Sequence, residues 1–240
     1  MRATLCALLL LVLLTGCNDG NRPPRERQPP PRVALVAEVI AAPPAAGLLT
    51  TVGYLYIDAD GARLVGGLTR SADELRPLGG DAAQIWLDTV PTSVAAELRA
   101  NDQARYGAVR VAGTFAGPGR FGPDACFRYQ LVDVTFTPLV ASEVTIALLE
   151  NNLAIYEQQV LQLRGNLLVG TSSALLVDQL GSGGVPAANA RQIKLAQPIQ
   201  DEALLAQLQG APGAAARFGP VTIEGFWQHG VLYPLLISAE

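Results

Sequence analysis

The sequence predicts a mainly β protein: two small five-stranded barrels in tandem, each with a helical lead-in and a helix after its third strand. Three observations carry this reading. The 240 residues include 24 Gly and 17 Pro among scattered Val, Ile and Leu, a mix that favours short strands and turns over long helices. Hydrophobic residues make up 50% and charged residues 16%, so the chain has ample apolar surface to bury and disorder of the body is disfavoured. Finally, the chain repeats itself at a fixed offset.

The segment Arg105-Tyr106-Gly107-x-Val109-x-Val111-x-Gly113-x-Phe115 returns 112 residues later as Arg217-Phe218-Gly219-x-Val221-x-Ile223-x-Gly225-x-Trp227. The same offset aligns Gly53-x-Leu55-x-Ile57 with Gly165-x-Leu167-x-Val169, Leu64-Val65 with Leu176-Val177, and Glu38 with Glu150. Gln84-Ile85-x-Leu87 matches Gln192-Ile193-x-Leu195 at an offset of 108. The change implies a four-residue deletion in one connection and an equal insertion in the next. Several blocks matching in order make this a duplicated module.

Each element follows from local pattern. In the first copy a helical lead-in spans Val33 to Ala42, and a strand follows over Leu48–Ile57. Asp58-Ala59-Asp60-Gly61 turns that strand into a second at Ala62–Val65, since Asp-x-Asp-Gly between two strands signals a hairpin. A third strand covers Ala83–Asp88. After Pro91, Val94 and Leu98 stand at i and i+4 within a helix over Ser93–Asn101, which Thr92 or Ser93 can cap. Tyr106–Phe115 and Phe127–Phe136 alternate apolar with other residues and read as the last two strands. The second copy gives a lead-in over Val144–Tyr156 and strands near 159–169, 174–179 and 191–196. A helix near 201–209 and strands near 219–227 and 230–238 complete it. The boundary falls in Thr137–Ser142, which carries Pro138. Strand-strand-strand-helix-strand-strand is the order of the OB-fold, a five-stranded Greek-key barrel. Gly53, Gly165, Gly113 and Gly225 lie inside first and fourth strands, where they permit the bends and bulges a small barrel needs.

Residues 1–16 read as a signal peptide. Met1 and Arg2 open it, and the apolar run Leu5 to Leu14 is far too short to cross a hydrocarbon core of ~30 Å. Leu14-Thr15-Gly16-Cys17 resembles the lipobox of bacterial lipoproteins. The resemblance implies that Cys17 becomes the mature N-terminus, with a diacylglyceryl group on its sulfur and a further acyl chain on its amine. Two or more chains hold a protein durably on a bilayer. In enteric bacteria the resemblance places an inner-membrane retention signal at an Asp directly after the cysteine. Asn18 stands there, so the expected location is the outer membrane facing the periplasm, with Asp19 one step later leaving the inner membrane open. Residues 17–32 are thus a lipidated cysteine and a Pro- and Arg-rich tether. Extended at ~3.1 Å per residue, it could hold the body as far as roughly 45 Å from the lipid.

The charge is uneven. Removing +1 at Arg2 and +2 across residues 18–32 from the total of −4 leaves −7 on residues 33–240, where Lys194 is the only lysine. A body this acidic repels phosphate backbones, so nucleic acid is not an expected partner. Cys6 leaves with the signal and Cys17 is acylated on this reading, so Cys126 stands alone. It is expected to be a small buried hydrophobe, with an intermolecular bridge as the alternative.

The body, residues 33–138 and 139–240, is similar to the OB-fold lipoproteins and OB-like periplasmic proteins of proteobacteria. In these a lead-in meets a strand with an internal Gly. An Ile-Trp-Leu-type strand follows, here Ile85-Trp86-Leu87, and then a Tyr-x-x-Val-x-Val-x-Gly-x-Phe-type strand, here Tyr106 to Phe115. Many relatives carry a Gly-His pair after the fourth strand; Arg120-Phe121-Gly122 stands in that region here. The shared motifs are core apolars and glycines, and the resemblance brings no catalytic role.

Little in the chain points to chemistry. His229 is the only histidine, no Gly-x-Ser-x-Gly elbow is present, and Trp227-Gln228-His229-Gly230 reads as the turn between the last two strands. Asp58 and Asp60 lack the further oxygen ligands of a calcium loop, and no zinc set exists, so no metal and no cofactor are expected. Aromatics remain. Tyr54 and Tyr56 share one face of their strand, and with Trp86 they are the candidate ligand-face residues. Without basic side chains such a face suits an envelope protein or a neutral ligand. The expected function is a non-enzymatic, lipid-anchored periplasmic binding or envelope-assembly module. The alternative is a purely structural envelope lipoprotein without a ligand groove, and a glycan-acting hydrolase is third. What separates the first two is whether Tyr54, Tyr56 and Trp86 share an exposed face or are buried between domains.

Overall fold

Strand β1 (Ala34–Leu35) runs directly into helix α1 (Val36–Ala41), whose Val36 and Val39 are buried. The computed structural model describes residues 32–71, 74–79, 83–213 and 216–240; the expected signal peptide, Cys17 and the tether up to Pro31 lie outside the described residues. After α1 come β2 (Gly47–Asp58), a tight turn at Ala59-Asp60, and β3 (Gly61–Val65). Next are β4 (Leu68–Ser71), β5 (Glu74–Pro77), β6 (Gln84–Leu87), α2 (Thr92–Glu97), β7 (Arg99–Ala100), β8 (Arg105–Ala116) and β9 (Gln130–Pro138). Strands β2, β3, β6, β9 and β8 close in that order into a five-stranded barrel, β8 pairing back to β2. All its ladders are antiparallel except β6–β9, which is parallel at Trp86–Gln130 and Leu87–Leu131.

The second copy contributes β10 (Ser142–Glu143), α3 (Ile146–Asn151), β11 (Val160–Val169), β12 (Ala174–Val177) and β13 (Gln192–Lys194). It ends with α4 (Glu202–Gln207), β14 (Gln209–Gly210), β15 (Arg217–Gln228) and β16 (Val231–Ala239). Its helices are capped by side chains that accept from third-residue amides, Thr145 from Leu148 at 3.1 Å and Asp201 from Leu204 at 2.7 Å. Helix α2 departs from expectation. Pro91 is its N-cap, neither Thr92 nor Ser93 caps it, and it stops at Glu97 because Leu98 turns extended to lay Arg99–Ala100 against β8.

The duplication holds register by register. Gly53 pairs with Val109 and Gly165 with Val221; Leu64 pairs with Ile85 and Leu176 with Ile193. The bulge between Ala112 and Thr114 recurs between Glu224 and Gly225, so Gly113 and Gly225 mark the bend that lets the fourth strand serve two neighbours. Gly53 and Gly165 serve close approach instead. A Cβ on Gly53 would stand 2.5 Å from Val36 Cγ2, and one on Gly165 would stand 3.2 Å from Ile146 Cδ1. Each glycine therefore seats the first residue of its lead-in helix. That contact fixes the lead-in alignment at an offset of 110, Val36 with Ile146, so Glu38 corresponds to Leu148 and not to Glu150. The two cores match likewise: Leu55, Leu64, Ile85, Leu87, Val109 and Phe115 in one become Leu167, Leu176, Ile193, Leu195, Val221 and Trp227 in the other.

The second copy does not close by a ladder. Its strands form an open sheet, β13-β12-β11-β15-β16-β4-β5, and only an isolated parallel bridge, Leu195 to Leu232, stands where Leu87 meets Leu131 in the first copy. Further along the same edge of β16, the hairpin β4–β5 leaves the first copy and pairs β4 in parallel with Leu236–Ser238. It wedges between β16 and α4: Thr69 Oγ1 lies 3.3 Å from Asp201 Oδ2, and Gln207 donates to Ser71 Oγ. In the first copy no strand intervenes, and α2 lies against β9. The boundary at 138/139 thus separates the repeats but not the sheets, and residues 32–240 form one compact unit.

Candidate functional site

Tyr54 and Tyr56 do share a face, and that face is the junction between the copies. Both are buried, in a cluster with Leu35, Val52, Val65, Leu68 and Tyr106 of the first copy and Val160, Phe226, Leu235 and Leu236 of the second. At its edge sits a charged knot. Arg99 Nη2 donates at 2.7 Å to Glu224 Oε2, Arg99 Nη1 donates to Oε1, and Tyr54 Oη donates to Oε2 at 3.1 Å. The guanidinium also contacts the Tyr54 hydroxyl and lies over the Tyr106 ring, 5.3 Å from its centre. Glu224 is 7% exposed and Arg99 46%, so the carboxylate is buried and its partner reaches solvent. Burial, then the adjacent Glu224 charge, pushes the Tyr54 hydroxyl pKa well above the usual phenol range. Burial, the largest single influence, would lower that of Arg99, but the hydrogen bond to Glu224 together with the charges of Tyr54, Glu224 and Tyr106 raises it.

A second clasp ties the lead-in of the first copy to the end of the second. The buried Gln228 amide donates to Val33 O at 3.0 Å and accepts from Val33 N at 2.8 Å, as a strand neighbour would. Tyr233 Oη donates to Glu38 at 3.0 Å and accepts from Arg32 at 2.9 Å, while Arg32 also pairs with Glu38. The sequence reading missed Arg99 and Glu224. The signal lay in comparing the copies: Val52, Tyr54 and Tyr56 of the buried face align with Arg164, Asn166 and Leu168, so only the first face is apolar enough to be covered.

Trp86 stands apart on the outer wall of the barrel. Its ring packs against Phe127, centroids 5.0 Å apart, and its indole N–H donates to Asp88 at 2.9 Å. Gly61 and Gly122, both at positive φ, press against the same ring, so no Cβ fits there. Trp86 therefore pins the 117–129 loop. Beside it opens a groove of about 390 Å³ lined by Asp60, Arg63, Gln84, Asp124, Cys126 and Phe127. Arg63 is held by Asp58 at 2.9 Å and lies over the Tyr56 ring. The counterpart of Trp86 in the second copy is Lys194, so this groove belongs to the first copy alone.

Other candidates fall into place. His229 and Gly230, both at positive φ, make the two-residue turn between β15 and β16, and the His229 amide donates to Glu157 at 3.0 Å. Asp58 is committed to Arg63 and to the Asp60 amide, a turn-stabilising role. Cys126 is exposed, against the expectation of burial, because the 117–129 loop carries it off the barrel. Among the described residues no cluster of His, Cys, Asp or Glu is arranged to hold a metal. Comparison with protein-family models, with curated proteins and with solved structures finds no match to this chain.

Proposed function

We propose that this chain is a lipid-anchored, non-enzymatic envelope protein of two OB-type modules, which holds a rigid binding surface in the periplasm for a protein or neutral ligand. The observation that carries the reading is the groove beside Trp86. It lies between the second and third barrel strands, β3 and β6, and the loops at 59–60 and 117–129, the region small barrels of this order use for binding. Its lining mixes an aromatic edge with Asp60, Asp124 and an already paired Arg63, which suits hydrogen-bonding neutral groups and repels polyanions. Outer-membrane attachment through Cys17 belongs to the same proposal.

A structural role without a ligand is the second reading. It is favoured by the burial of Tyr54 and Tyr56 and by Trp86 serving the loop. Affinity capture separates the two. The detergent-extracted lipoprotein is compared with Phe127→Ala from the same envelope. A binding module loses a partner when the groove edge is removed; an unchanged capture profile supports the structural reading.

A further inference from the structure

The described body begins at Arg32, and close after Arg32 comes its longest run of sequence without a charge, the first part of it exposed. From Val39 to Ile57 no residue carries a charge, and Ala41 to Ala46 are all exposed, including Pro43 and Pro44. Leu48 follows at 94% exposure, the most exposed large hydrophobic residue described. Arg32 and Glu38, paired with each other, line one groove of about 410 Å³ with Ala42, Pro44 and Leu49, so the start of the body and this apolar loop are neighbours in space. The duplication makes the exposure informative. At the offset of 112, Leu48 corresponds to Val160, which is 3% exposed because the first copy covers it. At this one position the second module is covered by the first, whereas the first module is open. The second copy also has exposed apolar residues after α3, Leu153 and Ile155, but Glu150 and Glu157 flank them.

We infer that Ala41–Leu48 is the face that the body rests on the bilayer. The inference depends on the proposal that Cys17 is acylated. A patch of one leucine, prolines and alanines is too small to hold a free protein on lipid. A tether changes that, because it converts docking into an intramolecular event at high effective concentration. The patch is uncharged, so docking draws on apolar contact with the acyl boundary and does not require anionic lipid. The groove beside Trp86 lies on other elements of the barrel, so the body can rest on lipid and bind at once.

The test uses the full chain purified from envelopes and reconstituted in phosphatidylcholine vesicles, in a Cys126→Ser background. Leu48→Cys carries an environment-sensitive fluorophore, and Val185→Cys, also exposed, is the control. Flotation with the vesicles, absent for Cys17→Ala, scores the anchor. The expected result is flotation, with the probe at 48 blue-shifted and at least twofold more quenched by spin-labelled lipid than the probe at 185. Adding Pro44→Asp should abolish that quenching while flotation persists. Equal quenching at 48 and 185 in floating protein overturns the docking face and leaves the anchor standing. No flotation overturns both. A benzophenone attached at Leu48→Cys in place of the fluorophore, if it photocrosslinks to a protein in native envelopes while the fluorophore shows no lipid quenching, overturns it in favour of a protein contact.

Discussion

Glu224 in β15 receives both terminal nitrogens of Arg99 in β7, and the oxygen that Arg99 Nη2 reaches at 2.7 Å also accepts from Tyr54. The pair joins the two copies of one module across 125 residues of chain. Removing one partner of a buried pair strands the other charge, whereas replacing both with apolar groups often costs nothing. Because Arg99 is half exposed, water can partly re-solvate the carboxylate. Arg99→Ala should therefore cost about 2–3 kcal/mol in urea unfolding. The double change Arg99→Met with Glu224→Leu should recover at least half. A double variant as unstable as the sum of its single changes contradicts this assignment.

Alkali should loosen the same junction. The Tyr54 hydroxyl has a folded-state pKa above its ordinary value, and so does Tyr233, in both cases through burial first and a neighbouring carboxylate next. Above roughly pH 10 the unfolded chain has lost these protons while the folded chain keeps them, so stability falls as pH rises, by up to about 1.4 kcal/mol per unit at the buried Tyr54 and by less at the partly exposed Tyr233. Below pH 10 the contribution is fully present. Tyr54→Phe should flatten the alkaline limb of a stability–pH curve. An unchanged limb contradicts the shift.

Tyr56→Ala should act through packing. With the ring buried at the junction, truncation should cost about 3 kcal/mol or more. Denaturant titration measures it; a variant of wild-type stability with weakened ligand capture would restore Tyr56 to an exposed face.

Cys126 should react with a thiol reagent in the native protein without denaturant, since the residue is exposed. Reaction only in denaturant contradicts the placement of the 117–129 loop.

How much of this was legible in the sequence differs by element. The ladders around Gly53, Gly113, Gly165 and Gly225 were readable because duplicated, alternating apolar positions and in-strand glycines leave few registers open. The β4–β5 hairpin was not. Leu68-Thr69-Arg70-Ser71 is short and mixed in polarity, and what makes it a strand is β16, far away in sequence. The candidate aromatics illustrate the same limit. Alternation placed Tyr54 and Tyr56 on one face, but whether that face meets solvent or Phe226 and Leu235 is decided by the second copy. Alignment of that face with Arg164, Asn166 and Leu168 carried the answer, since duplicated modules that differ in polarity at one face differ in what covers it.

The claim that module junction, clasp and hairpin lock two copies into one body can be read with the two tryptophans, one per copy. Trp86 sits on the first barrel and Trp227 in the core of the second. Trp227→Phe leaves fluorescence to report the first copy alone, and Trp86→Phe leaves it to report the second. Urea unfolding of each variant, followed by fluorescence and by far-UV circular dichroism, should give coincident curves within each variant, because the second sheet takes β4 and β5 from the first copy and one apolar cluster is built from both. If Trp86 and Trp227 report transitions that separate from the circular dichroism of their own variants, the copies unfold independently and the account of one locked body is wrong.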